Sequence, residues 1–377
     1  MELDSFRFDE VFPWRIDQKS RLLIDGTQFF PDMLQAIDSA SSHVLLEMYI
    51  MESGQVATQF IDAFVRAAKR NVTVQLLIDG FGSRGLLRED RRRLEDGGVQ
   101  LAVFNPLRFE IFGRKLKHNL FRTHRKFLIV DGTSVHVGGA GISDAFIGKR
   151  AWHDCMVEVS GSTAADWQAL FDHNMRRWSS VAAAPEPLVV TRKEGGVARL
   201  SHTSGGVRLP LKKILLNRIR RGKDCVWLAS AYFIPSGKIR RALRRAAVRG
   251  KDVRLLLPGP VTDHPSVRHA SRRYYARLLR HGVRIFEYEK HFMHSKVVLV
   301  DDWCTIGSSN MDRWNFRCNL EANQEAEDSA LAKDVKKMLS ADFENSKEIH
   351  YEVWLRRSWL QHLKEWLWGT VDRWLTR

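Results

Sequence analysis

The chain has 377 residues, and its 60 lysines and arginines against 44 aspartates and glutamates give a formal net charge of +16 at pH 7. A chain of this length can bury two hydrophobic cores of ordinary domain size. The basic charge indicates an anionic partner, either nucleic acid or an acidic lipid surface. The acidic segment 1–10 has no apolar core, and no apolar run approaches the roughly 20 residues that span a bilayer. We therefore expect neither a signal peptide nor a transmembrane helix.

Helices and strands alternate in the same order in both halves of the chain. In the first half, the pattern predicts a helix at 32–40, a strand at 44–50, a helix at 56–70 and a strand at 74–78. In the second half, it predicts a helix at 209–219, a strand at 226–233, a helix at 238–249 and a strand at 253–257. This alternation is typical of α/β layers with much parallel strand pairing.

One motif occurs twice. The sequence HRKFLIVD at 124–131 returns as HSKVVLVD at 294–301, which is 294 − 124 = 170 residues later. Side chains alternate between the faces of a strand, so the histidine and the lysine of each copy point the same way. The apolar run that follows predicts a strand buried on both faces. Histidine can act as nucleophile or acid/base and lysine can bind phosphate, so the duplication predicts two half-sites that share one active site.

A loop of small residues follows each copy of the motif. The first loop is GGAG at 138–141, and the second is GSSN at 307–310. Such loops allow backbone N–H, hydroxyl and amide groups to approach an anion closely. We therefore predict that Ser308 and Asn310 bind phosphate.

The motif HxKx4D, present twice and followed in its second copy by GSxN, resembles the phospholipase D superfamily. Within it, the chain is most similar to the short bacterial cardiolipin synthases that lack N-terminal transmembrane helices. Further segments carry the resemblance: 122–126, 231–236, 286–288, 306–312 and 319–323. The resemblance implies an α/β fold of two α/β/α sandwich lobes with mixed sheets, related by a pseudo-twofold axis, with the active site at the lobe interface. One departure is Gly141, which stands where the family has an asparagine, so the first half lacks one phosphate-binding amide.

The resemblance also implies the roles of the site residues. The residues predicted as catalytic are the motif members His124, Lys126, Asp131, His294, Lys296 and Asp301. Family precedent for the first motif favours His124 as nucleophile and His294 as acid/base, and the reverse assignment stays open. We expect both motif aspartates to form bonds near their turns rather than to react.

An attacking imidazole needs an acceptor for its second ring nitrogen. Glu321, 321 − 294 = 27 residues beyond its histidine, matches the downstream carboxylate of the family. Asp154, 154 − 124 = 30 residues beyond the first histidine, is its counterpart. We predict that these two carboxylates orient the histidines. We predict neither a cofactor nor a metal, because the matched lysines would make a neighbouring metal ion unfavourable.

The domain division follows from the repeat. We predict a first lobe at 1–185, a linker at 186–206, a second lobe at 207–345 and a tail at 346–377. Five of the twelve tryptophans lie in 354–374, where a Trp/Leu helix face would suit either an in-plane position at a membrane or a place on the protein's own core.

The predicted function is phosphatidyl transfer. The resemblance implies a phosphatidyl-histidine intermediate, with phosphatidylglycerol as donor, cardiolipin as product and glycerol released. The alternatives are a phospholipase D hydrolase, a nuclease or phosphodiesterase of the same fold, or a silent binding protein. We expect glycerophospholipids and an anionic membrane surface as partners rather than nucleic acid, and a peripheral location at the cytoplasmic side of the cell membrane. The four cysteines form no CxxC pair, which fits a reducing compartment. The oligomeric state stays open.

Overall fold

The computed structural model describes residues 11–107, 121–180, 182–187, 195–203, 210–312 and 319–358. The Trp/Leu helix face predicted beyond residue 358 lies outside the described residues.

The first lobe alternates strands and helices. Its strands are β1 (Arg15–Ile24), β2 (His43–Met48), β3 (Thr73–Asp79), β4 (Gln100–Phe104), β5 (Arg122–Thr123), β6 (Lys126–Val130), β7 (Ser134–Gly138) and β8 (Cys155–Ser160). Its helices are α1 (Gly26–Ser39), α2 (Gln55–Lys69), α3 (Arg88–Asp96) and α4 (Thr163–Trp178).

The second lobe repeats this arrangement and extends it. Its strands are β9 (Gly196–His202), β10 (Cys225–Ser230), β11 (Asp252–Pro258), β12 (Arg284–Tyr288), β13 (Lys296–Val300), β14 (Trp303–Gly307), β15 (Asn319–Leu320), β16 (Ala322–Glu327) and β17 (Ser346–Ile349). Its helices are α5 (Pro210–Arg221), α6 (Gly237–Val248), α7 (Pro265–Arg272), α8 (Tyr275–Leu279), α9 (Ser329–Glu344) and α10 (Tyr351–Leu355).

The two lobes share one continuous mixed sheet. Its strand order is β17-β12-β11-β10-β13-β14-β16-β9-β1-β8-β7-β6-β2-β3-β4. Outward from the antiparallel β1–β9 junction, the order β1-β8-β7-β6-β2-β3-β4 on one side matches β9-β16-β14-β13-β10-β11-β12 on the other. A pseudo-twofold axis at the junction produces this match. The predicted α/β class with two related lobes is confirmed, and the fusion of their sheets is an addition to it.

Helices cover both faces of this sheet. On one face, α1 and α2 form an apolar core with the first lobe, and α5 and α6 form a matching core with the second. On the other face, α4 and α9 pack into one large core that includes strand residues of both lobes, for example Phe127 and Leu299. Because this core crosses the junction, the hydrophobic effect stabilises the lobes as one unit.

The motif aspartates fix the end of each motif strand. Asp131 and Asp301 both have φ near 53°, a left-handed conformation that aspartate tolerates at turns. The carboxylate of Asp131 accepts the N–H groups of Ser41, Ser42 and His43 at 2.8–3.0 Å. Asp301 does the same for the N–H groups of residues 223–225. Each aspartate therefore ties its motif strand to the start of the neighbouring antiparallel strand, β2 for Asp131 and β10 for Asp301.

Two segments that the sequence analysis placed outside the lobes contain strands of the sheet. The segment 186–206, predicted as a linker, includes β9, which pairs with β1 and β16 near the centre of the sheet. The segment predicted as a tail from residue 346 begins with β17, which pairs with β12. Trp354 follows in α10 and is buried against Tyr275, with the ring centroids 4.9 Å apart. Any separate tail therefore starts after α10, and the four-part division otherwise stays a prediction.

Candidate active site

Both His–Lys pairs lie at one edge of the continuous sheet. Lys126 opens β6 opposite Met48, the last residue of β2. Lys296 opens β13 opposite Ser230, the last residue of β10. Each pair therefore sits at the carboxyl end of a parallel strand, the edge where open α/β sheets bind ligands.

Each histidine is held by a carboxylate of the other lobe. Nδ1 of His124 lies 3.0 Å from Oε1 and 3.1 Å from Oε2 of Glu321. Nδ1 of His294 lies 2.7 Å from Oδ2 of Asp154. The sequence predicted both carboxylates as orienting groups but did not indicate this exchange between lobes.

The backbone makes the same exchange. The N–H of His124 donates to the carbonyl of Leu320 at 2.8 Å, and the N–H of His294 donates to the carbonyl of His153 at 2.7 Å. Each of these carbonyls belongs to the residue just before an orienting carboxylate. Every motif histidine is therefore fixed at two points, by the ring and by the main chain, and both points lie on the opposite lobe.

The two predicted phosphate ligands differ in their contacts. The hydroxyl of Ser308 donates to Glu321 and accepts the N–H of Ala322 at 3.1 Å, so it holds the carboxylate that contacts Nδ1 of His124. Asn310 is fully buried, and its Oδ1 accepts the N–H of Tyr232 at 3.2 Å. Its Nδ2 has no hydrogen-bond partner among the described residues and remains a donor for a bound anion. The hydrogen bonds thus favour Asn310 as phosphate ligand and a positioning role for Ser308.

Both lysines are buried beside their histidines. Nζ of Lys126 donates to the carbonyl of His124 at 2.6 Å and lies 4.9 Å from the ring centre of Tyr49. Nζ of Lys296 lies 3.0 Å and 3.1 Å from the two ring nitrogens of His294. Burial lowers the pKa of Lys126 to about 7 and also lowers the pKa of Lys296. An anionic ligand would favour the charged form of both lysines.

Burial lowers the pKa of both histidines as well. The pKa of His294 falls to about 4 through burial and the nearby Lys296, partly opposed by Asp154. The pKa of His124 is lowered by burial and by Lys126, while Glu321 opposes the shift. An unperturbed histidine titrates near pH 6.5, and the pKa of each ring lies below that value. Both rings are neutral in the empty site near pH 7, and a phosphodiester anion is needed to favour protonation of one of them.

The motif aspartates lie at the other end of the motif strands. Lys126 and Asp131 are five residue steps apart along a strand, a distance of about 16 Å. The same separation holds between Lys296 and Asp301. Since both carboxylates accept backbone N–H groups at the turns, the geometry gives them the bonding role expected from the sequence. It does not bring them to the reacting groups.

The glycines of the first loop explain why the two half-sites differ. A Cβ on Gly141 would lie 2.8 Å from the carbonyl oxygen and 2.9 Å from Cβ of Ile50, so an asparagine does not fit there without movement. A Cβ on Gly139 would lie 2.5 Å from Oδ2 of Asp154. Gly139 takes the loop position that Ser308 has in the second lobe. It leaves Asp154 to be held by the N–H of Cys155 at 2.8 Å.

Aromatic side chains form walls that the sequence analysis did not predict. Tyr49 meets the ring of His124 with centroids 4.8 Å apart. Trp152 and Phe292, from different lobes, lie 5.2 Å and 5.6 Å from the ring of His294. Their positions in the sequence could have indicated this. Tyr49 directly follows β2, Trp152 lies two residues before Asp154, and Phe292 lies two residues before His294. These rings contribute to the burial of both histidines, which are 8% and 5% exposed.

Among the residues that the structure describes, no three His, Cys, Asp or Glu side chains form a group that could hold a metal ion. In the same part of the chain, no helix has both the length and the apolar character needed to cross a bilayer.

Comparison with known proteins agrees with this geometry. Residues 33–175 and 215–343 match the family described as cardiolipin synthase, PLD-like domain. The chain is 32% identical over 364 residues to cardiolipin synthase of Alkalihalophilus pseudofirmus, covering 94% of this chain and 71% of that protein. It is 34% identical over 352 residues to cardiolipin synthase 2 of Bacillus anthracis, covering 90% and 67%.

A solved structure shares the fold. Phosphatidylserine synthase of Haemophilus influenzae matches over 97% of each chain with a TM-score of 0.74 and 14% sequence identity. The resemblance seen in the two motifs is confirmed: the chain belongs to the PLD-like family of cardiolipin synthases.

Proposed function

We propose that the protein transfers a phosphatidyl group from one phosphatidylglycerol to a hydroxyl of a second, giving cardiolipin and free glycerol. The observation that carries the proposal is the paired site, in which two buried histidines from different lobes face the same edge with two lysines and one free amide donor. The identity of 32% and 34% to proteins named cardiolipin synthases supports this choice of substrate.

The first step forms a phosphatidyl-histidine. Glu321 holds Nδ1–H of His124, so Nε2 carries the lone pair that attacks phosphorus. As the N–P bond forms, the bond from phosphorus to the glycerol oxygen breaks, and protonated His294 donates its proton to that oxygen. Charge on the non-bridging oxygens is stabilised by the two lysines and by Nδ2 of Asn310.

The second step reverses the chemistry with a new alcohol. After glycerol leaves, His294 is neutral and takes the proton from a hydroxyl of the second phosphatidylglycerol. The oxygen attacks phosphorus, the N–P bond breaks, and His124 returns to its starting state. Water in place of the lipid hydroxyl gives phosphatidic acid, so the hydrolase alternative differs only in which acceptor reaches the site.

The protonation of His294 depends on the substrate. Its pKa of about 4 in the empty site would leave it neutral near pH 7. A phosphodiester carries one negative charge, and a negative charge within a few ångströms favours the protonated form of a histidine and so raises its pKa. Bound substrate therefore supplies the electrostatic condition for the acid step, while His124 must remain unprotonated to attack.

Membrane contact completes the proposal. A water-insoluble donor and acceptor require the protein to work at a lipid surface, and the net charge of +16 favours an anionic one. We assign the protein a peripheral position at the cytoplasmic side of the cell membrane, with the segment beyond residue 358 as one contact.

The test is product identity. Purified full-length protein is incubated with vesicles of phosphatidylglycerol labelled in the headgroup, in chelator and without divalent metal. We expect cardiolipin and free glycerol in a one-to-one ratio, and none from the His124→Ala variant. Phosphatidic acid alone would indicate the hydrolase. Cleavage of a DNA phosphodiester with no lipid product would indicate the nuclease, and activity that requires a restored divalent ion would contradict the lysine-based scheme.

A further inference from the structure

The outer helices of the two lobes carry different charge. The motif aspartates show which residues of the two lobes occupy equivalent positions. Asp131 binds the N–H groups of residues 41–43, and Asp301 binds those of residues 223–225. Three residues before each group stand Asp38 on α1 and Arg220 on α5. The same place in the fold therefore has an acid in the first lobe and a base in the second.

The neighbouring helix, α2 in the first lobe and α6 in the second, carries an arginine at the equivalent place in both lobes. In the first lobe, Arg66 on α2 makes a bidentate ion pair with Asp38, with both contacts at 2.9 Å. The sequence RAAKR at 66–70 corresponds to RAAVR at 245–249, so Arg245 on α6 is the equivalent of Arg66. Where the first lobe has an ion pair, the second lobe has Arg220 and Arg245, both exposed and both lining one groove.

The groove between α5 and α6 is strongly cationic. Its volume is about 190 Å³. Its lining contains five basic and no acidic residues: Arg220, Lys238, Arg241, Arg245 and Arg249, beside Ile219, Ala242 and Ala246. The spacing 238, 241, 245 and 249 places four of the cations in one stripe, three of them on α6 and the fourth, Arg249, at its C-cap. Neither helix contains an acidic residue, so the mutual repulsion is uncompensated within this layer.

Arg241 is a second position where the second lobe has a base and the first lobe has an acid. By the same alignment it corresponds to Asp62 on α2, whose carboxylate pairs with Arg93 at 2.5 Å. Two acids that neutralise the first lobe's helical layer are thus both arginines in the second lobe. Like charges at such spacing destabilise a helix, and a bound anion removes that cost.

The stripe begins beside the active site. The loop between β10 and α6 contains Tyr232, whose N–H binds Asn310, and ends at Ser236, the N-cap of α6. Lys238 lies in the first turn of the helix. From there the stripe runs along 12 residues of helix, about 18 Å. An anionic surface lying on the stripe would meet the protein next to the site where lipid reacts.

We propose that the α5–α6 groove is a docking surface for the phosphate headgroups of an anionic bilayer. Guanidinium groups bind phosphate oxygens in a bidentate manner, and several phosphates in one plane match a linear stripe of cations. The choice of a bilayer over nucleic acid rests on the proposed function, because the stripe starts at a site that would take phospholipids.

The experiment uses the first lobe as its template. Arg220→Asp installs the acid that the first lobe has at this position, facing Arg245, and Arg241→Asp installs the equivalent of Asp62. Arg92→Asp is the matched control, because Arg92 is exposed on α3 and its replacement changes the net charge by the same amount. All variants are compared by thermal melt, and a variant that melts early is replaced by the other one.

Binding to vesicles of phosphatidylglycerol in phosphatidylcholine is then measured at fixed salt. One cation contributes about a fivefold change in affinity at an anionic surface. We therefore expect both groove variants to bind at least about fivefold more weakly than the Arg92→Asp control, with no difference on pure phosphatidylcholine. Cleavage of a soluble phosphodiester should be unchanged, which separates loss of docking from failure of the proposed chemistry.

Equal binding by the groove variants and the control would overturn the proposal. So would weakened binding to a DNA duplex with unchanged binding to anionic vesicles, since the groove would then serve nucleic acid.

Discussion

Glu321 and His124 lie 321 − 124 = 197 residues apart in the chain, yet Oε1 of the carboxylate stands 3.0 Å from Nδ1 of the imidazole. The reciprocal pair, Asp154 with His294, closes at 2.7 Å. Each lobe therefore contributes a histidine that only the other lobe can orient. The active site is a product of the lobe junction, and neither lobe holds a complete set of groups by itself.

Removing the charge of Glu321 should impair catalysis without unfolding the protein. Glutamine retains an acceptor for Nδ1–H but no longer stabilises positive charge on His124. We expect Glu321→Gln to lower kcat by about 100-fold. Because Glu321 raises the pKa of His124, the acid limb of the pH–rate profile should move to lower pH. Asp302→Asn, at an exposed carboxylate, is the control. An unchanged profile together with an unchanged kcat would show that Glu321 does not act through the histidine.

The pH dependence should reveal the buried lysines. The pKa of Lys126 is about 7 in the empty site, so the lysine loses its proton as the pH rises through 7. Since kcat/KM reports the free enzyme, it should fall about tenfold per unit above that pH on a soluble phosphodiester whose p-nitrophenol leaving group needs no proton from His294. Arginine stays charged, so Lys126→Arg should move the alkaline limb upward by more than one unit even if its maximum is lower. A wild-type profile that is flat to pH 9 would contradict this assignment.

His153 should make stability depend on pH. Nδ1 lies 2.8 Å from Asp25 and Nε2 lies 3.0 Å from Asp342, and the ring stacks on Tyr288. Although burial lowers the pKa of His153, the two carboxylates raise it to about 10. A raised folded-state pKa stabilises the protein fully below the unfolded value of about 6.5, and this contribution is lost as the pH rises towards 10.

The comparison is with His153→Asn. Below pH 6.5 the variant should melt several degrees lower than the wild type. The difference in Tm should shrink steadily between pH 6.5 and 10. A constant difference across this range would mean that His153 stabilises the protein through packing alone.

Removing the segment 359–377 should weaken membrane binding. Trp354 is buried in the second lobe, so a truncation must leave α10 in place. The removed segment contains four tryptophans as well as Lys364, Arg373 and Arg377, which suit a membrane–water boundary. We expect weaker co-sedimentation with anionic vesicles and slower turnover on them, while hydrolysis of a soluble phosphodiester stays within about twofold. Loss of solubility or of a cooperative melt would instead show that the segment packs on the core.

Local sequence patterns predict the fold class and the presence of two related lobes. The alternation of short apolar runs with helical patterns predicted the α/β class, and the repeated HxKx4D motif predicted two related lobes with a common site. Local patterns do not specify which strands meet at the junction. Strand β9, which pairs with β1, lies in a segment whose composition resembles that of a linker. It forms a strand because of its long-range hydrogen bonds to β1 and β16, and these cannot be recognised in its local sequence.

The same reason limits prediction of the site. Glu321 and Asp154 could be recognised as orienting groups, but the exchange between lobes depends on β15 lying beside β5, a contact across the junction. The sequence predicts Ser308 as an anion ligand, whereas in the structure its hydroxyl donates to Glu321. The lowered pKa values of both histidines arise from burial, which depends on the packing of Tyr49, Trp152 and Phe292. None of these distances can be obtained from spacing along the chain.

The proposed mechanism requires that His124 becomes phosphatidylated while His294 transfers the proton. The most direct test uses His294→Ala with a phosphate-labelled, short-chain phosphodiester whose p-nitrophenol leaving group needs no acid. His124 should still attack, but the intermediate should lack the base that activates the next acceptor. We expect a burst of one p-nitrophenol per protein and an acid-labile, base-stable label on the peptide containing His124, with none in His124→Ala. A label on His294 in the wild type, or turnover in His294→Ala with no trapped adduct, would contradict the assignment of His124 as nucleophile.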